Sequence, residues 1–202
     1  MYTARHPMPD LFNNDYFLNG VLLALEQTSF CDFEIQLEMT HNSIHTFLGG
    51  RAEYSMSGVD YTAFDPVFFL HHSNVDRIWA VWQALQAHRG LLFDRSDCAL
   101  NLMGQPLRPF DDSSRNRDPV TRKYSRPVDA FQYSVKFNYH YDSLNFNTWT
   151  IPQLEDVLQK QRWKLLLMIL YFMSLSHSWE LSLMLLYFMS LSHRWELLLM
   201  LL

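Results

Sequence analysis

Two histidines, His41 and His45, stand four residues apart in a segment that contains neither proline nor glycine. In an α-helix a separation of four residues rotates a side chain by roughly 40°, so both imidazoles would lie on one face, one turn above the other. Imidazole nitrogens in that arrangement can bind one metal ion from the same side. The alternative is an ordinary pair of polar surface histidines, and a third ligand is needed to decide between the two.

A second histidine pair, His71 and His72, lies in the segment DPVFFLHHSNVDRIW, residues 65–79. This segment is largely apolar, and burying an unpaired imidazole costs free energy unless a metal ion or a hydrogen-bond partner satisfies it. Adjacent residues on a helix point about 100° apart, so we expect only one of the pair to hold the same ion as His41 and His45. Three neutral imidazoles suit copper, zinc or iron, and the donors alone do not identify the metal.

Helices must position these histidines. Ser29 is a suitable N-cap for a helix over residues 30–48, which Gly49 and Gly50 would end. Asp65 and Pro66 have the residue types of a helix start, and the apolar pattern carries this second helix to about His88. A third helix is predicted earlier in the chain by apolar residues at helical spacing: Leu18, Val21, Leu22 and Leu25.

The rest of the chain divides by composition. After a helical domain over residues 1–103, the prolines and charges of residues 104–130 predict an irregular connection. Aromatic and polar residues alternate between Phe131 and Tyr141, which predicts a half-buried strand with His140 on its polar face. A helix start at Thr150 completes a segment, 131–162, of one strand and one short helix.

Residues 163–202 form a hydrophobic tail in which a 16-residue unit recurs, ILYFMSLSHSWELSLM at 169–184 and LLYFMSLSHRWELLLM at 185–200. The tail is predicted to be helical. His177 and His193 recur with the repeat rather than at a ligand spacing. The uncharged stretches, 15 and 13 residues long, are shorter than the ~20 residues that a membrane span needs, so we do not expect a membrane anchor.

The net charge excludes one class of partner. Lys and Arg number 16 against 21 Asp and Glu, a formal net charge of −5, so we expect no binding of nucleic acid. Residues 1–12 lack the apolar run of a secretory signal peptide.

The motifs resemble a known family. HNSIHTFLGG (41–50) followed by DPVFFLHHSNVDRIWAVWQ (65–83) is similar to the second copper-binding motif of the type 3 copper proteins, which include tyrosinases, catechol oxidases and mollusc hemocyanins. The hemocyanin branch resembles this chain most, since the resemblance extends over residues 5–160 and includes the flanking segments LFNNDYF (11–17), VLLALEQTSFCDFEIQLE (21–38), CALNLMGQPLRPF (98–110) and TIPQLEDVL (150–158). It implies a mainly α fold: part of a type 3 copper helical bundle, with a short strand and the helical repeat tail.

The resemblance also implies a ligand set. His41, His45 and His72 would hold one copper ion, with His71 as the rival to His72. Asp76, Asn42 and Glu38 would adjoin or orient these ligands, and ordinary helix ion pairs are the alternative for the two acids. Because the family is extracellular, a disulfide between Cys31 and Cys98 is one alternative, and two buried free thiols are the other.

The function that the resemblance implies is oxygen transport. The chain would be a partial hemocyanin-like unit that contributes one copper to a dinuclear site binding dioxygen as peroxide, and its other histidines do not match the motif of the first copper. Hemocyanins are homo-oligomers dissolved in hemolymph. One alternative is a tyrosinase or catechol oxidase acting on o-diphenols; another is a metal-free helical interaction protein that associates through its repeat.

Overall fold

The computed structural model describes residues 5, 7, 15–91, 97–108, 110, 111, 123–131, 134 and 137–175. These residues are mainly helical, as predicted, in the order α1 (Tyr16–Glu26), α2 (Phe30–Gly49), a 3-10 turn (Thr62–Phe64), α3 (Pro66–His88), α4 (Asp97–Met103), α5 (Pro127–Ala130) and α6 (Ile151–Leu175). Contacts divide the chain into two compact units, Met1–Glu155 and Asp156–Leu202. The first unit contains all four histidines of the two pairs.

Helix α2 begins and ends as its sequence predicts. The hydroxyl of Ser29 accepts a hydrogen bond from the backbone N–H of Asp32 at 3.1 Å, which satisfies a free donor of the first turn. At the other end, a Cβ on Gly49 would lie 2.3 Å from the backbone nitrogen of Ser57. Gly50 has φ 57°, in the left-handed region that favours glycine. Both glycines are therefore needed for the chain to turn away from the helix.

Helix α3 is capped by a buried carboxylate. Asp65 accepts a hydrogen bond from the backbone N–H of Val67 at 3.0 Å, and Pro66 occupies the first turn. The guanidinium of Arg5 donates to both carboxylate oxygens of Asp65 at 2.7 and 2.5 Å. These bonds keep the pKa of Asp65 below its ordinary value. The predicted start of the helix is confirmed, with a cation supplied from a distant part of the sequence.

Aromatic packing joins the three long helices of the first unit. The ring of Phe33 on α2 stacks on that of Trp82 on α3, with centroids 4.7 Å apart and planes inclined by 17°. The indole N–H of Trp82 donates to the carbonyl of Gln27 at 2.8 Å, just after α1. Leu25 and Leu85 are fully buried beside them. This core fixes the distance between α2 and α3, the two helices that carry the histidines.

Cys31 and Cys98 form a disulfide, with their Cα atoms 6.4 Å apart. The bond ties α4 to the first turn of α2. Of the two alternatives for these cysteines, the disulfide is therefore confirmed.

The strand predicted between residues 131 and 141 was wrong for the part of it that the structure describes. Pro127–Ala130 is a short helix that ends in a turn at Phe131, and residues 138–141 have no regular structure. Asn138 has φ 54°, which an extended strand does not tolerate. The aromatic alternation instead places the hydroxyls of Tyr139 and Tyr141 on one carboxylate oxygen of Asp76.

Helix α6 starts at the predicted cap, where the side chain of Gln153 accepts a hydrogen bond from the backbone N–H of Thr150 at 3.0 Å. It is longer than predicted: it continues to Leu175, so the boundary expected at residues 162 and 163 falls inside it. No proline or glycine occurs in this helix after Pro152 in its first turn. The remainder of the repeat, with His177 and His193, lies outside the described residues. Among the helices that are described, none is long and apolar enough to cross a membrane.

The contact between α1 and α2 generates a first prediction. A Cβ on Gly20 would lie 2.5 Å from the hydroxyl oxygen of Thr40, which is buried. Alanine normally stabilises a helix relative to glycine by about 0.5–1 kcal/mol, but overpacking of this kind costs about 1–3 kcal/mol. We therefore expect Gly20→Ala to lower the free energy of unfolding in urea by about 1–2 kcal/mol.

Thr40→Ala removes the atoms that the new methyl group would meet, so the double variant is the matched control. In the double variant, Gly20→Ala should become neutral or stabilising. An equal loss in both backgrounds would show that the contact is not the cause.

Candidate metal centre

Four imidazoles converge between α2 and α3. His41 and His45 project from α2, His71 and His72 from the first turns of α3, and every pair of these rings has a centroid distance between 4.6 and 5.2 Å. Both members of the second pair reach the first pair, although they leave the helix in different directions. The rings of both His71 and His72 therefore contact those of His41 and His45.

The ring nitrogens of three of these histidines come within contact distance. Nε2 of His41 lies 3.1 Å from Nε2 of His45 and 3.0 Å from Nε2 of His72. Two nitrogens that each lie about 2.0–2.1 Å from a metal ion at a tetrahedral angle are about 3.3 Å apart. The observed spacing therefore fits a shared metal ion with only small movements of the rings.

The opposite ring nitrogens are all engaged by oxygen atoms. Nδ1 of His45 faces the carbonyl of Met56 at 2.9 Å, and Nδ1 of His72 faces the carbonyl of Phe68 at 2.8 Å. A carbonyl oxygen only accepts, so in both residues Nδ1 carries the hydrogen and the neutral ring has its lone pair on Nε2. The side-chain oxygen of Asn42 does the same for His41 at 3.0 Å.

These hydrogen bonds decide how well the site fits a metal. With Nδ1 protonated in three neutral rings, the three Nε2 atoms are all acceptors, and none can donate to another. Acceptors at 3.0–3.1 Å repel one another unless a proton or a cation lies between them. A set of nitrogen donors without thiolate or carboxylate suits copper or zinc. The residues present therefore fit a bound copper ion.

His71 differs from the other three. It is 7% exposed, and its Nε2 is buried without a hydrogen-bond partner. Its ring stacks on that of His41, with centroids 5.0 Å apart and planes inclined by 14°. One nitrogen each of His41, His45 and His71 lies within 4.8 Å of the others, so these three could also hold one copper ion.

Burial favours the neutral form of His41, His45 and His71. It lowers the pKa of His41 and of His45 below 6.5, and the charges of neighbouring histidines lower both further. For His71, burial followed by the charges of the other three histidines lowers the pKa to about 4. The charge of Glu38 acts on His41 in the opposite direction and partly offsets its shift. At neutral pH the lone pairs of these three rings are therefore free for a metal.

The three residues predicted to adjoin the ligands take different places. Asn42 contacts His41 directly, while Glu38 acts on the same ring through its charge. Asp76 accepts the hydroxyl hydrogens of Tyr139, at 2.8 Å, and of Tyr141.

Sequence reasoning missed the two backbone carbonyls that orient His45 and His72. It also missed Thr62, whose hydroxyl lies 3.1 Å from Nδ1 of His45. Any residue type supplies a backbone carbonyl, so the acceptor of His72 carries no sequence signal. No sequence pattern points to Met56 or Thr62.

A cleft of about 360 Å³ opens beside His41 and His72. Aromatic and aliphatic side chains from α2 and α3 form most of its wall, together with three carboxylates: Phe30, Phe33, Leu37, Val75, Trp79, Glu34, Glu38 and Asp76. Burial, followed by the charge of Glu38, raises the pKa of Glu34. The cluster is thus bordered on one side by a mainly apolar space.

Comparison with known proteins shows which family and which relatives this chain resembles. Residues 3–85 match the family described as the common central domain of tyrosinase. The chain is 56% identical over 160 residues to the hemocyanin beta-C chain unit D of Helix pomatia, a match that covers 79% of this chain and 39% of that protein. It is 53% identical to hemocyanin 2 of Megathura crenulata, again over 79% of this chain but 5% of that much longer protein.

Solved structures of hemocyanins are similar to this chain as well. A functional unit of octopus hemocyanin matches with a TM-score of 0.68 and 48% identity over 78% of this chain and 40% of that one. Deoxygenated hemocyanin from Rapana thomasiana matches with a TM-score of 0.66 and 39% identity over 79% of this chain and 41% of that one. The chain spans about two fifths of the length of the single-unit relatives it matches.

The lowered pKa of His71 predicts how the metal-free protein responds to acid. Below pH 6.5 the unfolded chain takes up a proton on this imidazole, whereas the folded state does so only near pH 4. Folding stability should therefore fall as the pH drops from about 6.5 towards 4, and each pKa unit corresponds to about 1.4 kcal/mol. Between pH 7 and pH 4.5, we expect His71→Phe to lose about 1–3 kcal/mol less than the unmodified chain in urea unfolding.

His88→Phe, which replaces an exposed histidine at the end of α3, is the control and should follow the unmodified chain. The same acid sensitivity in all three proteins would contradict the assignment of the loss to His71.

Proposed function

Because this chain belongs to the mollusc hemocyanin branch of the tyrosinase family of type 3 copper proteins, we propose that it binds copper through His41, His45 and His72 as part of an oxygen-carrying unit. The observation that carries the proposal is the convergence of three Nε2 atoms whose rings are fixed from behind by oxygen acceptors. Such an arrangement has little use without a cation at its centre.

His72 is preferred over His71 as the third ligand for a geometric reason. Its Nδ1–H is bound to the carbonyl of Phe68, which orients the lone pair of Nε2 towards His41 at 3.0 Å. Metal-binding imidazoles are typically held in this way by a hydrogen bond from the other ring nitrogen. The ring of His71 is stacked on that of His41, with planes inclined by 14°, and its Nε2 has no hydrogen-bond partner.

Copper in this family supplies reversible binding of dioxygen when two ions act together, which a single ion cannot do. The residues of this chain contribute binding and orientation: three imidazoles hold the ion, and the carbonyls of Met56 and Phe68 keep the ligands in the required tautomer. Within the described part of the chain, one group of metal-binding side chains is found. The second ion therefore needs histidines from elsewhere, and oxygen transport is proposed for the whole unit.

Extracellular fluid, the hemolymph of a mollusc, is the proposed location. The disulfide between Cys31 and Cys98 supports it, because such bonds persist in oxidising compartments. Association into homo-oligomers is proposed on family resemblance alone.

Oxidation of o-diphenols is a second candidate, favoured by the cleft beside His41 and His72. Its volume and its aromatic walls would accept a single ring next to the ligands. An oxidase would turn over catechol once both coppers are present, whereas a carrier would not. The third reading, a metal-free interaction protein, gives no reason for three imidazoles to converge with their acceptor atoms facing one another.

Metal analysis of the purified chain tests the ligand assignment. We expect about one equivalent of copper after reconstitution and dialysis. Because three ligands act together on one ion, His72→Ala should weaken copper binding by at least about 100-fold, and the double variant His41→Ala, His45→Ala should abolish it. Affinity is measured by competition with a chromophoric chelator.

His71→Ala and His88→Ala are the comparison variants. The first should weaken binding much less than His72→Ala does, and the second should leave it unchanged. Retention of copper by the double variant, or a larger loss in His71→Ala than in His72→Ala, would contradict the assignment.

A further inference from the structure

We infer that Thr62 is a positioning residue of the copper site that acts through His45. Its hydroxyl, which the sulfur of Met56 orients, is a second acceptor for the Nδ1–H of His45 and makes that imidazole a stronger donor to copper(II). The inference rests on the proposed function, since it assumes copper at His41, His45 and His72. It goes further by assigning a role to a side chain that is not itself a ligand.

Two oxygen atoms face Nδ1 of His45. The carbonyl oxygen of Met56 lies at 2.9 Å and the hydroxyl oxygen of Thr62 at 3.1 Å. In the part of the chain that the structure describes, Nδ1 of His41 and Nδ1 of His72 each have one oxygen partner. His45 is therefore the ligand whose ring N–H is shared between two acceptors.

The direction of these hydrogen bonds follows from the atoms involved. A carbonyl oxygen cannot donate, so Nδ1 of His45 carries the hydrogen. The hydroxyl oxygen of Thr62 faces that N–H and accepts from it with a lone pair. The single hydroxyl hydrogen of Thr62 is donated to Sδ of Met56, 3.5 Å away. Because the sulfur takes this hydrogen, the oxygen stays an acceptor for the imidazole.

The surrounding chain holds both residues in place. Met56 is 1% exposed, so water does not compete for its sulfur. Thr62 begins the 3-10 turn that precedes α3, and its backbone N–H donates to the carbonyl of Gly58 at 2.8 Å. Any residue at position 56 would supply the carbonyl, but the sulfur and the hydroxyl need particular side chains. Substitution of either side chain therefore tests the arrangement without changing a ligand.

A hydrogen bond at one ring nitrogen changes the donor strength of the other. An acceptor at Nδ1–H fixes the tautomer and the orientation of the ring, and it raises the basicity of the metal-binding Nε2. A more basic nitrogen stabilises copper(II) more than copper(I), because the ion of higher charge gains more from the added electron density. Loss of the Thr62 hydroxyl should therefore weaken the binding of copper(II) more than that of copper(I).

Three variants of the full 202-residue chain separate the hydroxyl from the sulfur. Thr62→Val removes the hydroxyl and keeps the branched shape, Thr62→Ser keeps the hydroxyl, and Met56→Leu removes the sulfur and keeps the carbonyl. In competition titrations we expect Thr62→Val to bind copper(II) about 10-fold more weakly, with a smaller loss for copper(I) and a higher reduction potential. Thr62→Ser should restore both properties, and Met56→Leu should lie between the two.

Thr46→Val is the matched control. Its hydroxyl is next to His45 in sequence but donates to the carbonyl of Asn42 at 3.2 Å and not to the ring. We expect this variant to keep the copper affinities and the reduction potential of the unmodified chain.

Pulsed electron paramagnetic resonance of the copper(II)-loaded chain detects the remote ring nitrogen of each bound imidazole. The quadrupole coupling of that nitrogen depends on its hydrogen bonds, so a general loss of packing does not imitate the effect. In the unmodified chain we expect one imidazole to differ from the other two, and in Thr62→Val we expect that difference to disappear.

Three equivalent imidazoles in the unmodified chain, or a Thr62→Ser variant as weak as Thr62→Val, would overturn this inference and leave the proposed function standing. Failure of the unmodified chain to bind one equivalent of copper would overturn both.

Discussion

The stacking of Phe33 on Trp82 sets how closely α2 approaches α3, and the metal centre depends on that distance. His41 lies eight residues after Phe33, and His72 lies ten residues before Trp82. Because the two histidines are in contact, the two helices are antiparallel and both histidines lie on the same side of the stack. At about 1.5 Å per residue, the stack is some 12–15 Å from the histidines along each helix. A change of packing there would be carried along two rigid helices to ring nitrogens that now lie 3.0–3.1 Å apart.

The segment that connects α2 and α3 also helps to orient the histidines of the metal centre. Gly49 and Gly50 let the chain turn back immediately after α2, so that the carbonyl of Met56 reaches Nδ1 of His45. The connection then ends at Asp65, whose carboxylate both caps α3 and binds Arg5. Met56 fixes the tautomer of His45, and Asp65 caps the helix that carries His72. Both thus belong to the same short segment.

The long helices and the cluster were predictable because their signals are local. Ser29, Gly49, Asp65 and Pro66 act on the turn in which they stand, and a spacing of four residues directly implies a shared helix face. The hydrogen bond from His45 to Met56 joins residues 11 positions apart through a backbone atom, which any residue type supplies. The strand predicted near Tyr139 was wrong for a related reason. Alternation of aromatic and polar residues indicates which side chains are buried, but not the contact that buries them. Here both tyrosine hydroxyls bind Asp76, which lies 63 and 65 residues earlier in the chain.

Protons and a metal ion compete for the same lone pairs in this cluster, and its geometry favours the metal. A proton between His41 and His45 is shared by two nitrogens at most, and it leaves Nε2 of His72 and the buried Nε2 of His71 without a hydrogen-bond donor of their own. It also places a full charge on rings whose burial lowers their pKa. An ion with several coordination positions satisfies three nitrogens at once and spreads its charge over all of them. The burial that lowers the pKa of His41, His45 and His71 thus leaves their lone pairs free for such an ion.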